Sequence, residues 1–176
     1  MGSHFLLLVC TCLYLILLCS AGSPWIDYPD NGFASMTHYT LPLDFIASCG
    51  CVGSSTHYPT AALSQMAYGS STAFGPGCGR CFNLTLINAF LVDPPFYPNV
   101  TKSIVVKVTD LCPKTGRWCS ASKDSVNEFV HVSVHSLWTN SKLKRSAGHQ
   151  LNFDLAWPSS SIPDDFFPSD PSVYGD

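Results

Sequence analysis

Several short segments of the chain alternate apolar and polar residues, which is the pattern of half-buried β-strands. A β-branched run, Ser-Ile-Val-Val-Lys-Val-Thr, gives the strongest of these signals and predicts a mostly buried strand. The predicted strands cover residues 36–40, 81–89, 103–109 and 150–157. One segment, 59–68, predicts a helix instead, because Thr60 can act as its N-cap and Ala62 and Met66 share a helical face. Short strands with one helix predict a small, closed all-β barrel.

The N-terminus carries an apolar run with no charged residue over positions 5–19. This length suits the core of a signal peptide and is short for a membrane span. Small residues at positions 19–21 predict cleavage after Ala21, so residues 1–21 are expected to be removed and 22–176 to form a single domain. The alternative is an N-terminal membrane anchor, which the absence of a following basic cluster disfavours. The chain is therefore expected to be secreted, extracellular and free of the membrane once cleaved.

The charge of the chain bears on whether it binds nucleic acid. The formal net charge is −3, charged residues make up only 12% of the chain, and no basic stripe is present. These features argue against a nucleic-acid partner. We expect a monomer without a cofactor.

Cysteine usage fits export. Nine cysteines are present, and six remain after the signal peptide. An even number in an exported chain predicts three disulfides, whose pairing the sequence leaves open, although Cys112 and Cys119 could close a short loop. The pair in Cys78-Gly-Arg-Cys81 could instead suggest zinc, but no second pair lies at finger spacing, so we expect bridges and no metal site. The six are Cys49, Cys51, Cys78, Cys81, Cys112 and Cys119.

Two glycosylation sequons are present. Asn99 lies beside a proline-rich stretch that is expected to be a surface loop, which makes it the better acceptor. Asn83 lies within an apolar run.

Several motifs in one order resemble glycoside hydrolase family 45, in the branch close to expansins and to the loosening proteins of basidiomycetes. The specific part of the match is Val-x-Val-Thr-Asp-Leu-Cys-Pro joined to Cys-Gly-Arg-Cys. The matching segments are Thr37-His38-Tyr39, residues 61–69, Cys78–Phe82, Val105–Pro113 and Asn152–Leu155.

The resemblance implies a six-stranded double-psi β-barrel with an open groove that binds β-1,4-glucan. It further implies an inverting endoglucanase, in which Asp154 is the general acid. Asp110 is implied as a second carboxylate, either a partner that raises the pKa of Asp154 or a turn-forming residue. Aromatic and hydroxyl side chains are expected to bind the sugar. These are Thr37, Tyr39, Trp118 and Trp157.

The general base is not assigned by the resemblance. The position where the enzymes carry it holds Thr40-Leu41-Pro42 here, and Asp44 is the nearest carboxylate. A non-hydrolytic, expansin-like glucan-binding protein that loosens walls therefore stays open as an alternative. A small secreted effector or inhibitor on the same scaffold is a third hypothesis.

Two segments depart from the family pattern. Residues 125–146 interrupt the match, which predicts an insertion or a gene-model error. Only a Ser-, Pro- and Asp-rich stretch follows residue 157, so the barrel is expected to lack its last strand and to expose an edge.

Overall fold

A computed structural model provides the fold. It describes residues 31–53, 57–72, 74–86, 102–122, 125, 151–163 and 166, and the backbone of 132–136. The predicted signal peptide and Asn99 lie outside these residues. Within them, no helix is long and apolar enough to cross a membrane. The elements are β1 (Asn31–Tyr39), β2 (Thr60–Ser64), α1 (Gln65–Tyr68), β3 (Cys81–Leu86), β4 (Ser103–Cys112), β5 (Val132–Ser136) and β6 (Asn152–Ala156).

The six strands close into one barrel in the order β1-β5-β3-β4-β2-β6. The pairs β1–β6 and β2–β4 are parallel, whereas the remaining four neighbouring pairs are antiparallel. The fold is the predicted double-psi β-barrel. Its closure leaves every one of these strands with two neighbours, so the sheet has no free edge.

Alternate residues of β3, and of β4 as far as Val108, fill the barrel interior. In β3, buried residues alternate with partly exposed ones, as the apolar pattern predicts. Phe82 of β3 and Phe153 of β6 are both fully buried and meet edge to face with ring centroids 5.0 Å apart. Burying a side chain of this size stabilises the fold by about 1.5–3 kcal/mol.

The prediction of one helix over 59–68 is wrong for most of that segment. Thr60–Ser64 forms strand β2, and only one helical turn, Gln65–Tyr68, follows. All five residues of β2 are buried. In the sheet the strand lies between β4 and β6. A short apolar run buried on both faces looks the same as a helix face in sequence, and here the sheet contacts decide. Gly69, at a φ of 82°, ends the turn.

The prediction that the barrel lacks its last strand is also wrong. The ring has six strands, and β5 comes from the segment 125–146 that the sequence analysis set aside as an insertion. β5 pairs with both β1 and β3 and so closes the barrel. The gene-model explanation stays a prediction, but this part of the segment is integral to the fold.

Two disulfides hold the loops at one end of the barrel. Cys49 is bridged to Cys78, and Cys112 to Cys119, the short loop that the spacing predicts. The prediction of a third bridge is wrong: Cys51 and Cys81 are not bonded to each other and carry free thiols. Cys81 begins β3 and is paired in register with Lys107.

Candidate active site

Four side chains lie in one row on the outer face of the barrel. Thr37 of β1 is in register with Asp154 of β6, Asp154 with Ala62 of β2, and Ala62 with Asp110 of β4. Neighbouring strands are about 4.8 Å apart, so the backbones that carry the two aspartates are separated by about 10 Å. The small side chain of Ala62 lies between them. The row brings together both carboxylates that the sequence predicts.

A β-bulge puts Asp110 on this face. Along β4, Ile104, Val106 and Val108 point into the core, so strict alternation would direct Asp110 inward as well. The pairing with β2 shifts by one residue, from Ala61↔Val108 to Ala62↔Asp110, which leaves Thr109 as the extra residue. Bulges re-aim side chains in this way. Asp110 therefore faces outward beside Asp154.

The carboxylate of Asp110 accepts four hydrogen bonds. Its Oδ1 accepts from the Ser48 backbone N–H at 2.9 Å, the Ser48 hydroxyl at 2.7 Å and the Leu111 N–H at 2.9 Å. Its Oδ2 accepts from the Tyr39 hydroxyl at 3.3 Å. The residue is only 6% exposed. These hydrogen bonds tie the loop carrying Ser48 to β4.

Asp154 accepts fewer hydrogen bonds than Asp110, and its pKa is raised. Burial raises the pKa of its carboxyl, and the nearby charge of Asp110 adds to this, against lowering effects from the Thr37 hydrogen bond and from His38. Thr37 donates to Oδ1 at 2.8 Å. Oδ2 lies 3.8 Å from the Sγ of Cys112, which is bridged and has no proton to give. The pKa of one carboxyl is therefore raised while the other is held by four hydrogen bonds, and unlike environments of this kind separate acid and base roles.

Tyr39 spans the row. It ends β1, and its hydroxyl donates to Asp110 of β4 at 3.3 Å, so it links the first and fourth strands of the row. Burial, followed by the charges of Asp110 and Asp154, raises the pKa of Tyr39, which stays a neutral hydrogen-bond donor. Tyr39 is only partly buried, and it lies close enough to Asp154 for the charge of that carboxylate to act on its hydroxyl.

The two tryptophans predicted to bind sugar, and the sequon residue in β3, have the following surroundings. Trp118 is in the loop closed by the Cys112–Cys119 bridge, whose Cys112 contacts Asp154, and Arg117 stacks on its ring at 5.1 Å. Trp157 packs against the core and meets His38 edge to face with ring centroids 5.1 Å apart. The sequon residue Asn83 lies in the middle of β3, between β4 and β5, and is partly buried.

For two polar residues of the site, the sequence does not indicate which side chains they contact. Ser48, in a loop, donates twice to Asp110 across a separation of 62 residues. Asn152, fully buried in β6, donates from Nδ2 to the Thr37 hydroxyl oxygen at 3.0 Å and accepts from Ser35 at 2.7 Å. The motif Asn-Phe-Asp locates Asn152, but only the pairing of β1 with β6 shows what it contacts. In the described part of the chain, no group of three or more His, Cys, Asp or Glu side chains could hold a metal ion.

One solved structure supports this fold. A β-1,4-D-endoglucanase, Cel45A from the blue mussel Mytilus edulis, has a TM-score of 0.52 and 22% identity, over 81% of this chain and 76% of that one. A GH45 endoglucanase, EG27II, in complex with cellobiose has a TM-score of 0.49 and 22% identity, over 87% of this chain and 79% of that one. An EG27II mutant with cellobiose has a TM-score of 0.47 and 25% identity, over 77% and 74%. No curated protein matches significantly.

The family model described as EXPB1-like domain 1 matches residues 34–175. That range contains all of the row and nearly all of the barrel, from the fourth residue of β1 to beyond β6. The chain thus belongs to the EXPB1-like domain 1 family.

Proposed function

We propose that the protein is an inverting endo-β-1,4-glucanase in which Asp154 is the general acid. The observation that carries the proposal is the pair of unlike carboxyls on one outer face, with the pKa of Asp154 raised by burial and Asp110 held by four hydrogen bonds. An acid that cleaves a glycosidic bond must hold its proton near neutral pH and face the substrate.

The raised pKa of Asp154 has a consistent cause. The carboxyl is taken out of water between β1 and β2, against the sulfur of Cys112, and it is close to the negative charge of Asp110. Both effects disfavour ionisation. Asp110 then acts as an electrostatic partner, and its own oxygens are already occupied by Ser48, Leu111 and Tyr39.

Tyr39 is the proposed platform for the glucan. Its hydroxyl contacts Asp110 and it lies close to the acid, so its partly exposed ring could offer a flat surface to a sugar. Sugar rings stack on aromatic faces through their C–H groups. Thr37 is proposed to orient Asp154, and Trp118 to extend the binding surface from the bridged loop, while Trp157 is proposed to contact the glucan beyond the row.

A second candidate function is glucan binding without hydrolysis. It is favoured by the saturation of Asp110, because three hydrogen bonds on Oδ1 leave it poorly placed to activate a water molecule. The carboxylates within the described residues are Asp110, Asp154 and the exposed Asp44. In this case Tyr39 and the groove would bind the polymer, and Asp154 would transfer no proton.

Hydrolysis is tested by reducing-sugar release from a soluble β-1,4-glucan, with the purified protein beside Asp154→Asn and Asp44→Asn. Loss of a general acid lowers the rate by about 100-fold or more, so we expect little release by Asp154→Asn. An NMR measurement of the first-formed product should give the inverted anomer. A large loss in Asp44→Asn as well would identify that residue as the base.

Binding is tested with the same proteins by depletion from insoluble glucan. Tyr39→Phe keeps the ring and is expected to bind, whereas Tyr39→Ala is expected to lose binding. Glucan bound but never cleaved by the wild-type protein would establish the second function and reject the first. Absence of both binding and cleavage would reject both.

A further inference from the structure

A chain of hydrogen bonds runs behind the proposed acid. Ser35 Oγ contacts the Oδ1 of Asn152 at 2.7 Å, Asn152 Nδ2 contacts Thr37 Oγ1 at 3.0 Å, and Thr37 Oγ1 contacts Asp154 Oδ1 at 2.8 Å. Ser35 and Asn152 are both fully buried. The chain links side chains of β1 and β6 alternately, so each member is fixed by the strand pairing.

The polarity of the chain follows from what each group can do. A side-chain amide is oriented by its partners. One side of the Asn152 amide faces the Sγ of Cys119 at 3.3 Å, and a bridged sulfur can only accept a hydrogen bond. The NH₂ group therefore lies on that side, which is also the side of Thr37. The carbonyl oxygen is left to accept from the Ser35 hydroxyl.

The direction of the last bond is then determined. A threonine hydroxyl has one proton and two lone pairs. Because Asn152 donates to Thr37 Oγ1, the single proton of Thr37 points to Oδ1 of Asp154. Oδ1 is thus an acceptor, and the proton of a neutral Asp154 belongs on Oδ2.

We propose that Asn152 is a positioning residue: its amide sets the direction in which Thr37 donates and so leaves Oδ2 of Asp154 as the oxygen that carries the transferable proton. The inference rests on the proposed role of Asp154 as acid. It adds a residue that touches neither the glucan nor Asp154 and acts through Thr37. If the polarity were reversed, Asp154 would spend its proton on Thr37 and would have none to give.

The test is a titration of Asp154 by carboxyl ¹³C NMR, assigned with Asp154→Asn. In Thr37→Val the carboxylate loses a donor, so its midpoint should rise by about 1 pH unit, the value for one hydrogen bond to a charged group. Asn152→Leu frees the Thr37 hydroxyl to turn away and should raise the midpoint in the same direction. The double variant should shift no further than Thr37→Val alone.

The charged neighbours stay constant in these variants. In the described part of the chain, the groups whose charges act on Asp154 are His38 and Asp110, and Tyr39 nearby stays neutral. Thr109→Val is the matched control, because its hydroxyl is buried, has no hydrogen-bond partner among the described residues and lies next to Asp110. Its midpoint should equal that of the wild type.

Three results would overturn the proposal. A fall of the midpoint in Thr37→Val means that Asp154 donates to Thr37, and this sign alone decides the question if Asn152→Leu does not fold. Shifts that add in the double variant mean that Asn152 does not act through Thr37. An equal shift in Thr109→Val means that the effect is not specific. Since the titration needs no substrate, an absence of glucan hydrolysis rejects the proposed function and leaves this test intact.

Discussion

Replacement of Asp110 by alanine should destabilise the fold strongly, whereas replacement of Asp154 by alanine should change the stability little. In Asp110→Ala, the backbone N–H groups of Ser48 and Leu111 lose their acceptor. An unsatisfied buried donor costs about 1–3 kcal/mol, so two cost about 2–6 kcal/mol, from which the recovered cost of burying a carboxylate is subtracted. We expect the free energy of unfolding to fall by about 3 kcal/mol. In Asp154→Ala only the Thr37 hydroxyl loses a partner, and Asn152 still contacts it.

The assay is urea unfolding followed by tryptophan fluorescence at fixed pH. With a slope of about 2 kcal/mol per M, Asp110→Ala should lower the midpoint by about 1.5 M, whereas Asp154→Ala should change it by less than about 0.5 M. Asp110→Asn is the control, because its amide oxygen can replace Oδ1 as acceptor and should restore more than half of the loss. Equal midpoints for Asp110→Ala and the wild type, or a greater loss in Asp154→Ala, would refute the assignment of Asp110 as the structural member of the pair.

Three further predictions concern pH, the core and the bridged loop. Because native Asp154 holds its proton at a pH where the unfolded chain has lost it, wild-type stability should fall as the pH rises from the ordinary aspartate pKa through the raised one; Asp154→Asn should lack this component in urea melts across that range. Phe153→Ala should cost about 3–5 kcal/mol, whereas Phe74→Ala, with that ring 72% exposed, should cost less than about 0.5 kcal/mol in the same melts. Replacing Cys112 and Cys119 by alanine should cost about 2.4 kcal/mol from the loss of a short closed loop, and calorimetry should show the melting temperature falling accordingly.

The sequence predicts much of the barrel because its strands alternate cleanly. β3, β4 and β6 lie where the apolar periodicity indicates, and motif order predicts the fold and both aspartates. β2 was missed because all its residues are buried, so that no alternation remains to distinguish it from a helix. β5 was missed because it lies in a segment without a counterpart in the family motifs.

The geometry of the site depends on information that a residue pattern does not contain. The bulge at Thr109 follows from the register between β2 and β4, which no single strand encodes. Ser48 contacts Asp110, and Asn152 contacts Thr37, only because distant strands pair. The sequence names the two carboxyls, and the strand pairing decides which one has a raised pKa and which one is held by four hydrogen bonds.

The row of Thr37, Asp154, Ala62 and Asp110 also has a consequence for folding. Its members come from the first, last, second and fourth strands, and β6 lies between the two earliest ones. Contacts between residues so far apart in sequence form late, since the loops they close cost entropy before the contacts form. During synthesis, the acid at position 154 would be the last part of the row to leave the ribosome. The same strand completes the barrel and delivers the acid, so a chain that has not yet folded to closure has no assembled site.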